Sequence, residues 1–174
     1  PIHTGGFTNN FSYKGFDLSI FFQWSYGNDV INYNRAKLED LRGQHTNQLA
    51  SAMNHWTPRV DNGDGTYTEG NYTNYLCAVN RNLTNLNTSR VVEDASFLRL
   101  KNVQLGYNFP VKLIKRIGIS SLRLYVSGQN LWTWTKYTGY DPEVSTRNSA
   151  LTRGFDYSAY PKTTSYTFGI KLGL

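Results

Sequence analysis

The 174-residue chain carries a formal net charge of +6, is 39% hydrophobic and is 15% aromatic. No run approaches the roughly 18 apolar residues of a transmembrane helix, which excludes a helical membrane protein; a barrel stays open, because its strands show apolar side chains only at alternate positions. The basic residues are scattered apart from Lys112, Lys115 and Arg116, and Cys77 is the only cysteine. That leaves no basic stripe for nucleic acid, no internal disulfide and no expected metal or cofactor site.

Five strands are predicted from strict alternation of apolar and polar residues. The first spans roughly residues 6–13, and Lys14-Gly15 makes a tight turn into the second, 16–26. In the second, Phe16, Leu18, Ile20, Phe22 and Trp24 form one face, while Asp17, Ser19, Gln23 and Ser25 form the other, interrupted by Phe21. The third, 95–109, has a clean apolar face of Val103, Leu105, Tyr107 and Phe109, but Arg99 and Lys101 continue that parity. Two accounts fit: the cations reach lipopolysaccharide phosphates at the outer leaflet, or a β-bulge near Lys101 lets Leu98 and Leu100 share the apolar face. The fourth, 121–134, sets Leu122, Leu124 and Val126 against Arg123, Tyr125, Ser127 and Gln129. The fifth, 164–174, alternates Tyr166, Phe168, Ile170, Leu172 and Leu174 with Ser165, Thr167, Gly169, Lys171 and Gly173. Its polar-x-Gly-x-x-hydrophobic-x-hydrophobic ending resembles the terminal strand read by the bacterial barrel-assembly machinery, with Leu in place of the usual aromatics.

The connections alternate between short turns (14–15 and 110–120) and long loops (27–94 and 135–163), as in outer-membrane barrels. A compact soluble domain rarely holds so long a loop. The stretch 16–24 extends about 30 Å as a strand; tilted by roughly 40°, it rises about 23 Å, close to the apolar band of such barrels. Trp24, Tyr26, Trp132 and Trp134 are expected at the outer strand ends, and Phe7, Tyr107 and Phe109 at the inner ends, as two aromatic girdles. Within the first long loop, residues 30–41 have a helical pattern with Arg35 four before Glu39, and 47–56 reads as a second short helix stopped by Pro58. Asp61-Asn62-Gly63-Asp64-Gly65 lacks the regular acidic spacing and closing Glu of an EF-hand loop and reads as a turn.

Several stretches resemble one family. Gly5-Gly6-Phe7-Thr8-Asn9-Asn10-Phe11-Ser12-Tyr13-Lys14-Gly15-Phe16-Asp17-Leu18 is similar to the GGF…YK-x-FDL hairpin of SusC/RagA-type TonB-dependent transporters of Bacteroidetes. Ser25-Tyr26-Gly27-Asn28-Asp29, His55-Trp56-Thr57-Pro58, the run from Val92 to Tyr107, Ser127-Gly128-Gln129-Asn130-Leu131-Trp132-Thr133 and Thr138-Gly139-Tyr140-Asp141-Pro142-Glu143 follow in that family's order. The resemblance implies an all-β, antiparallel transmembrane segment: the last five strands of a barrel of about 22 strands around a plug. It also implies a SusD-like surface lipoprotein as lid, energy delivered through TonB, a location in the outer membrane, and an oligosaccharide or peptide as cargo. An odd set of strands with open edges cannot stand alone in lipid, so the chain is expected to be a fragment of a larger wall, with the plug, the TonB-contacting segment and the remaining strands elsewhere.

On this reading Asp17, Ser19, Gln23, Arg123, Ser127, Gln129, Thr167 and Lys171 face a hydrated lumen. Trp56, Tyr67, Tyr72, Tyr75, Tyr137 and Tyr140 in the outer loops are candidate ligand contacts, because aromatic rings stack on sugar faces. The alternative is a soluble, secreted carbohydrate-binding sandwich; it accounts for the aromatics and the alternation but not for the loop asymmetry or the motifs. Catalysis is not expected. His3, His45 and His55 form no pattern with a nucleophile or metal, and Asp141 and Glu143 read as a loop brace.

Overall fold

The computed structural model describes residues 1–39, 47–72, 89–146 and 154–174. Its strands, in chain order, are β1 (His3–Tyr13), β2 (Phe16–Tyr26), β3 (Asp29–Asn32), β4 (Val60–Asp61), β5 (Tyr67–Thr68), β6 (Val92–Asp94), β7 (Phe97–Asn108), β8 (Ser121–Thr135), β9 (Phe155–Asp156) and β10 (Ser165–Gly173). Helix α1 (Tyr33–Leu38) follows β3, and the single turn α2 (Val111–Ile114) lies between β7 and β8. The chain divides into two compact units. One comprises Pro1–Asp29, Asp94–Glu143 and Tyr160–Leu174; the other comprises Val30–Glu93 and Val144–Ala159.

The first unit is built on a five-stranded sheet of order β1-β2-β7-β8-β10. All four pairings are antiparallel. The β1–β2 hairpin closes through Lys14 and Gly15, whose φ values of 45° and 91° are both positive. A two-residue turn with both residues in that region matches the right-handed twist of the strands it joins. β1 is longer than the alternation alone suggests, because His3 still pairs with Tyr26. The connection from β7 to β8 is a compact helical turn that ends on Gly118 in the left-handed region, φ 74°.

The ambiguity in the third strand resolves as a bulge. Phe21 pairs with Asn102 but Phe22 pairs with Leu100, so Lys101 is the extra residue in β7. Leu98 and Leu100 thereby join Val103, Leu105 and Tyr107 on the apolar face, and Arg99 turns to the other side, opposite Gln23. On β8, Asn130 lies across from the bulge with φ 51°. The account that placed Arg99 on the apolar side is thereby overturned. Phe7 also departs from its expected place: it pairs with Phe22 and stacks on it at 4.9 Å, well away from the short turn. The aromatic cluster next to that turn is Phe16 on Tyr107 at 4.4 Å and Tyr107 on Phe109 at 4.9 Å.

The second unit has its own polar core. Residues 30–41 do not form one helix: β3 pairs in parallel with β9, and α1 begins only at Tyr33. The break falls at Asn32, whose side chain accepts from the Arg35 backbone N–H at 3.0 Å and caps the helix. Glu39 is buried. It takes hydrogen bonds from Arg35 Nε at 3.2 and 3.1 Å, from Ser51 Oγ at 2.7 Å and from Arg90. Burial pushes the Glu39 carboxyl up, but these donors and cations outweigh it and hold its pKa below the usual value. The second predicted helix reduces to a 3₁₀ turn, Ala50–Met53. The Asp-rich stretch is the tip of the β4–β5 hairpin, where Asp61 Oδ1 accepts from Gly63 N at 2.9 Å and Asp64 Oδ1 from Thr66 N at 2.8 Å.

Gly106 permits a tie across three strands. A Cβ there would stand 2.7 Å from Arg123 Nη2 and 2.8 Å from Asp17 Oδ1. The empty space lets Arg123 of β8 reach over β7 to Asp17 of β2, which also accepts from Asn108 Nδ2 at 3.1 Å. Gly106→Val is expected to sever this tie and destabilise the sheet by about 1–3 kcal/mol. The check is thermal unfolding of the full polypeptide in detergent.

Candidate functional site

The register sorts the five-stranded sheet into two surfaces of opposite character. One carries Phe7, Phe11 and Tyr13 of β1; Phe16, Leu18, Ile20, Phe22 and Trp24 of β2; and their partners on β7 and β8, ending in Tyr166, Phe168, Ile170 and Leu172 of β10. Among the described residues, no large side chain of this face is buried. Trp132 is 61% exposed, Ile170 71% and Phe168 80%. Apolar surface on that scale is costly in water and marks a face made for a nonaqueous neighbour. Trp24 and Trp134 flank Leu98 from opposite sides at the loop end of this face.

The opposite face is polar. Asp17, Ser19, Gln23, Arg123, Ser127, Gln129, Thr167 and Lys171 all lie on it. Ser127 pairs with Thr167, and Arg123 with Lys171. Strand parity also puts Phe21 on this side, and its ring lies over Gly6, 2.8 Å from where a Cβ would stand.

A cluster that sequence reasoning did not assemble lies at the level of the bulge. Arg99 and Asp141 are 2% and 3% exposed and share a 2.5 Å contact from Nη2 to Oδ1. Asp141 also accepts from the backbone N–H of Glu143 at 2.9 Å and of Lys162 at 3.4 Å. Glu143 takes a 3.3 Å hydrogen bond from Gln23 Nε2 and stands 3.7 Å from Arg99 and 3.8 Å from Lys101, with Lys162 bonded to it. The segment after β8 therefore doubles back over the polar face, crossing β7 to reach β2. The brace reading of Asp141 and Glu143 pointed to this fold-back, but the anchor, Arg99, was hidden by its apparent parity with Val103 and Leu105. Burial raises the Asp141 carboxyl; the Arg99 hydrogen bond, the two backbone N–H groups and the Arg99 charge outweigh it and hold its pKa below the usual value.

The candidate ligand aromatics divide. Tyr137 is buried at 6% exposure and is a packing residue of the fold-back, so it is not a surface contact. Tyr140 is 82% exposed. In the other unit, Trp56 and Tyr72 meet edge-on with centroids 6.4 Å apart, and Arg59 lies 4.0 Å over the Tyr67 ring. Tyr75 lies outside the described residues.

No protein-family model matches the chain. It is 38% identical over 177 residues to the TonB-dependent receptor P3 of Formosa agariphila, a match over 99% of this chain and 16% of that receptor. It is 33% identical to the receptor P39 of the same organism, over 97% of this chain and again 16% of the relative's length. The TonB-dependent receptor SusC of Bacteroides thetaiotaomicron is 34% identical over 85 residues, 47% of this chain. Among solved structures, that of the RagAB peptide transporter matches 97% of this chain and 17% of its own, with a TM-score of 0.76 and 32% identity. The chain thus spans about one sixth of the length of the two Formosa agariphila receptors, 16% of each.

The buried pair generates two expectations. Arg99→Met, which leaves Asp141 buried without its cation, is expected to cost about 3–5 kcal/mol, and Arg99→Met with Asp141→Leu to recover part of it; unfolding of the full polypeptide measures both. Because the Asp141 pKa is lower folded than unfolded, its contribution is complete above the unfolded value and is lost as pH falls through the folded one. Protease resistance of the segment around Asp141 should therefore hold at neutral pH and decline below about pH 4.

Proposed function

The chain belongs to the SusC/RagA family of TonB-dependent receptors, and from that premise we propose that it forms part of the wall of an outer-membrane β-barrel that imports an oligosaccharide or a peptide. The observation that carries this reading is the division of one sheet into a continuous exposed apolar face and a polar, ion-paired face. A wall between lipid and an aqueous lumen has that demand on every strand. The apolar face meets acyl chains, with Trp24, Trp132 and Trp134 at the headgroup level, where indole rings are favoured. The polar face lines the lumen.

The remaining strands, the plug and the segment that contacts TonB belong to the rest of the polypeptide, and a SusD-like lipoprotein covers the loop end. The likeness to RagAB, a peptide transporter, supports peptides as one cargo class; the exposed loop aromatics Trp56, Tyr67, Tyr72 and Tyr140, whose rings can stack on sugar faces, support oligosaccharides as the other. The polypeptide is read as a transporter. Trp56 and Tyr72 form the pair most suited to touch cargo.

Spin labels placed one by one from position 165 to 172 in the full polypeptide, in bilayers, test the wall. Labels at 166, 168, 170 and 172 are expected to collide with dissolved oxygen, and those at 165, 167, 169 and 171 with a water-soluble nickel chelate. Equal access of the chelate to all eight positions would sink the reading. Deletion of the coding frame, followed by growth on glycan or on peptide as sole carbon source, identifies the cargo class by which growth is lost.

A further inference from the structure

The polar face is not electrically neutral, and the surplus has the same sign at both of its charged levels. Near the short turn, Asp17 is bound to Arg123, and Lys171 of β10 stands directly opposite Arg123 in the register. Like charges directly opposite one another destabilise a sheet pair, so this arrangement costs the fold something. At the bulge, Arg99 and Asp141 neutralise each other in burial, which leaves Glu143 between two lysines, Lys101 and Lys162. Those three side chains are partly exposed, Lys101 at 30%, Glu143 at 25% and Lys162 at 39%. Among the described residues, the cations on or over this face are Arg99, Lys101, Arg123, Lys162 and Lys171; the carboxylates are Asp17, Asp141 and Glu143.

We propose that this face is a selectivity surface for anionic cargo, with Lys101, Lys162 and Lys171 as the specificity-determining side chains. The inference rests on the reading of the polar face as lumen lining. A passage walled by low-dielectric protein focuses the field of uncompensated charges and raises the local concentration of ions of opposite sign. The group selected is a carboxylate or a sulfate carried by the cargo. Arg99 and Asp141 hold the segment that presents Glu143, and the Glu143 carboxylate gathers Lys101 and Lys162 at the level of the bulge.

The test uses single cysteines in the full polypeptide, in a background without other cysteines. Gln129→Cys lies one register step from the bulge, and Thr167→Cys lies midway along β10; both positions are exposed. Each is modified with a sulfonate-bearing and with a trimethylammonium-bearing methanethiosulfonate, and the ratio of rates is compared with that of a free cysteine peptide. The expected ratio favours the sulfonate by about tenfold at low salt and falls toward the peptide value at 1 M salt. Lys171→Gln should lower the ratio at Thr167→Cys, and Lys101→Gln with Lys162→Gln should lower it at Gln129→Cys. A ratio equal to the peptide's, or one favouring the ammonium, overturns the anionic selectivity and leaves the lumen reading standing. Failure of both cysteines to react with either reagent overturns both.

Discussion

One extra residue in β7 decides how the sheet presents itself. With Lys101 bulged out, Leu98 and Leu100 stay in line with Val103 and Leu105 on the apolar face, and Arg99 swings to the polar side. Without it, Arg99 would stand among the aromatic and aliphatic side chains, where an unpaired cation is prohibitively costly. With it, Arg99 becomes the buried anchor for Asp141, and the chain leaving β8 is drawn back over the sheet. Surface chemistry and loop course thus follow from the same local irregularity, in keeping with the tendency of bulges to re-aim side chains near functional positions.

The two faces are stabilised by different means. The polar side is held by direct bonds: the tie from Arg123 over Gly106 to Asp17, and the cluster around Glu143. The apolar side has stacked and tilted rings such as Phe7 on Phe22 and Phe16 on Tyr107, but much of its surface faces outward. A sheet with that imbalance gains its remaining stability from what surrounds it. This is the same physical fact that makes it suitable as a wall in lipid.

Much of the sheet was legible in the sequence because period-two alternation is a local signal: Phe16 to Trp24 names both faces of β2 without reference to any other strand. The bulge was not decidable in that way. Whether Arg99 shares a face with Val103 depends on which residues of β2 and β8 lie opposite, and that is nonlocal. Phe7 was misplaced for a different reason: the two-residue turn at Lys14-Gly15 pairs it with Phe22 and so sets it far from the short turn, a local signal that was not followed. In the loop unit, the helical spacing of Arg35 and Glu39 was read correctly as a contact, but Asn32 was not recognised as the cap that starts the helix. Tyr137 looked like one more exposed loop aromatic, and only the fold-back after β8 makes it a packing residue.

The hairpin turn at Lys14 and Gly15 has a consequence for how such a wall can diverge. Two residues in the left-handed region fix the pairing of β1 with β2 along its whole length, from Tyr13 and Phe16 to His3 and Tyr26. A single inserted residue there would slip the register and exchange the two faces of a strand, putting Phe11 among the ion pairs and Ser12 among the aromatics. The long connections are under no such bond, since their length does not set any strand's register. A change of length at this hairpin thus reverses the chemistry of a strand, whereas a change of length in a long connection leaves both faces of the sheet as they are.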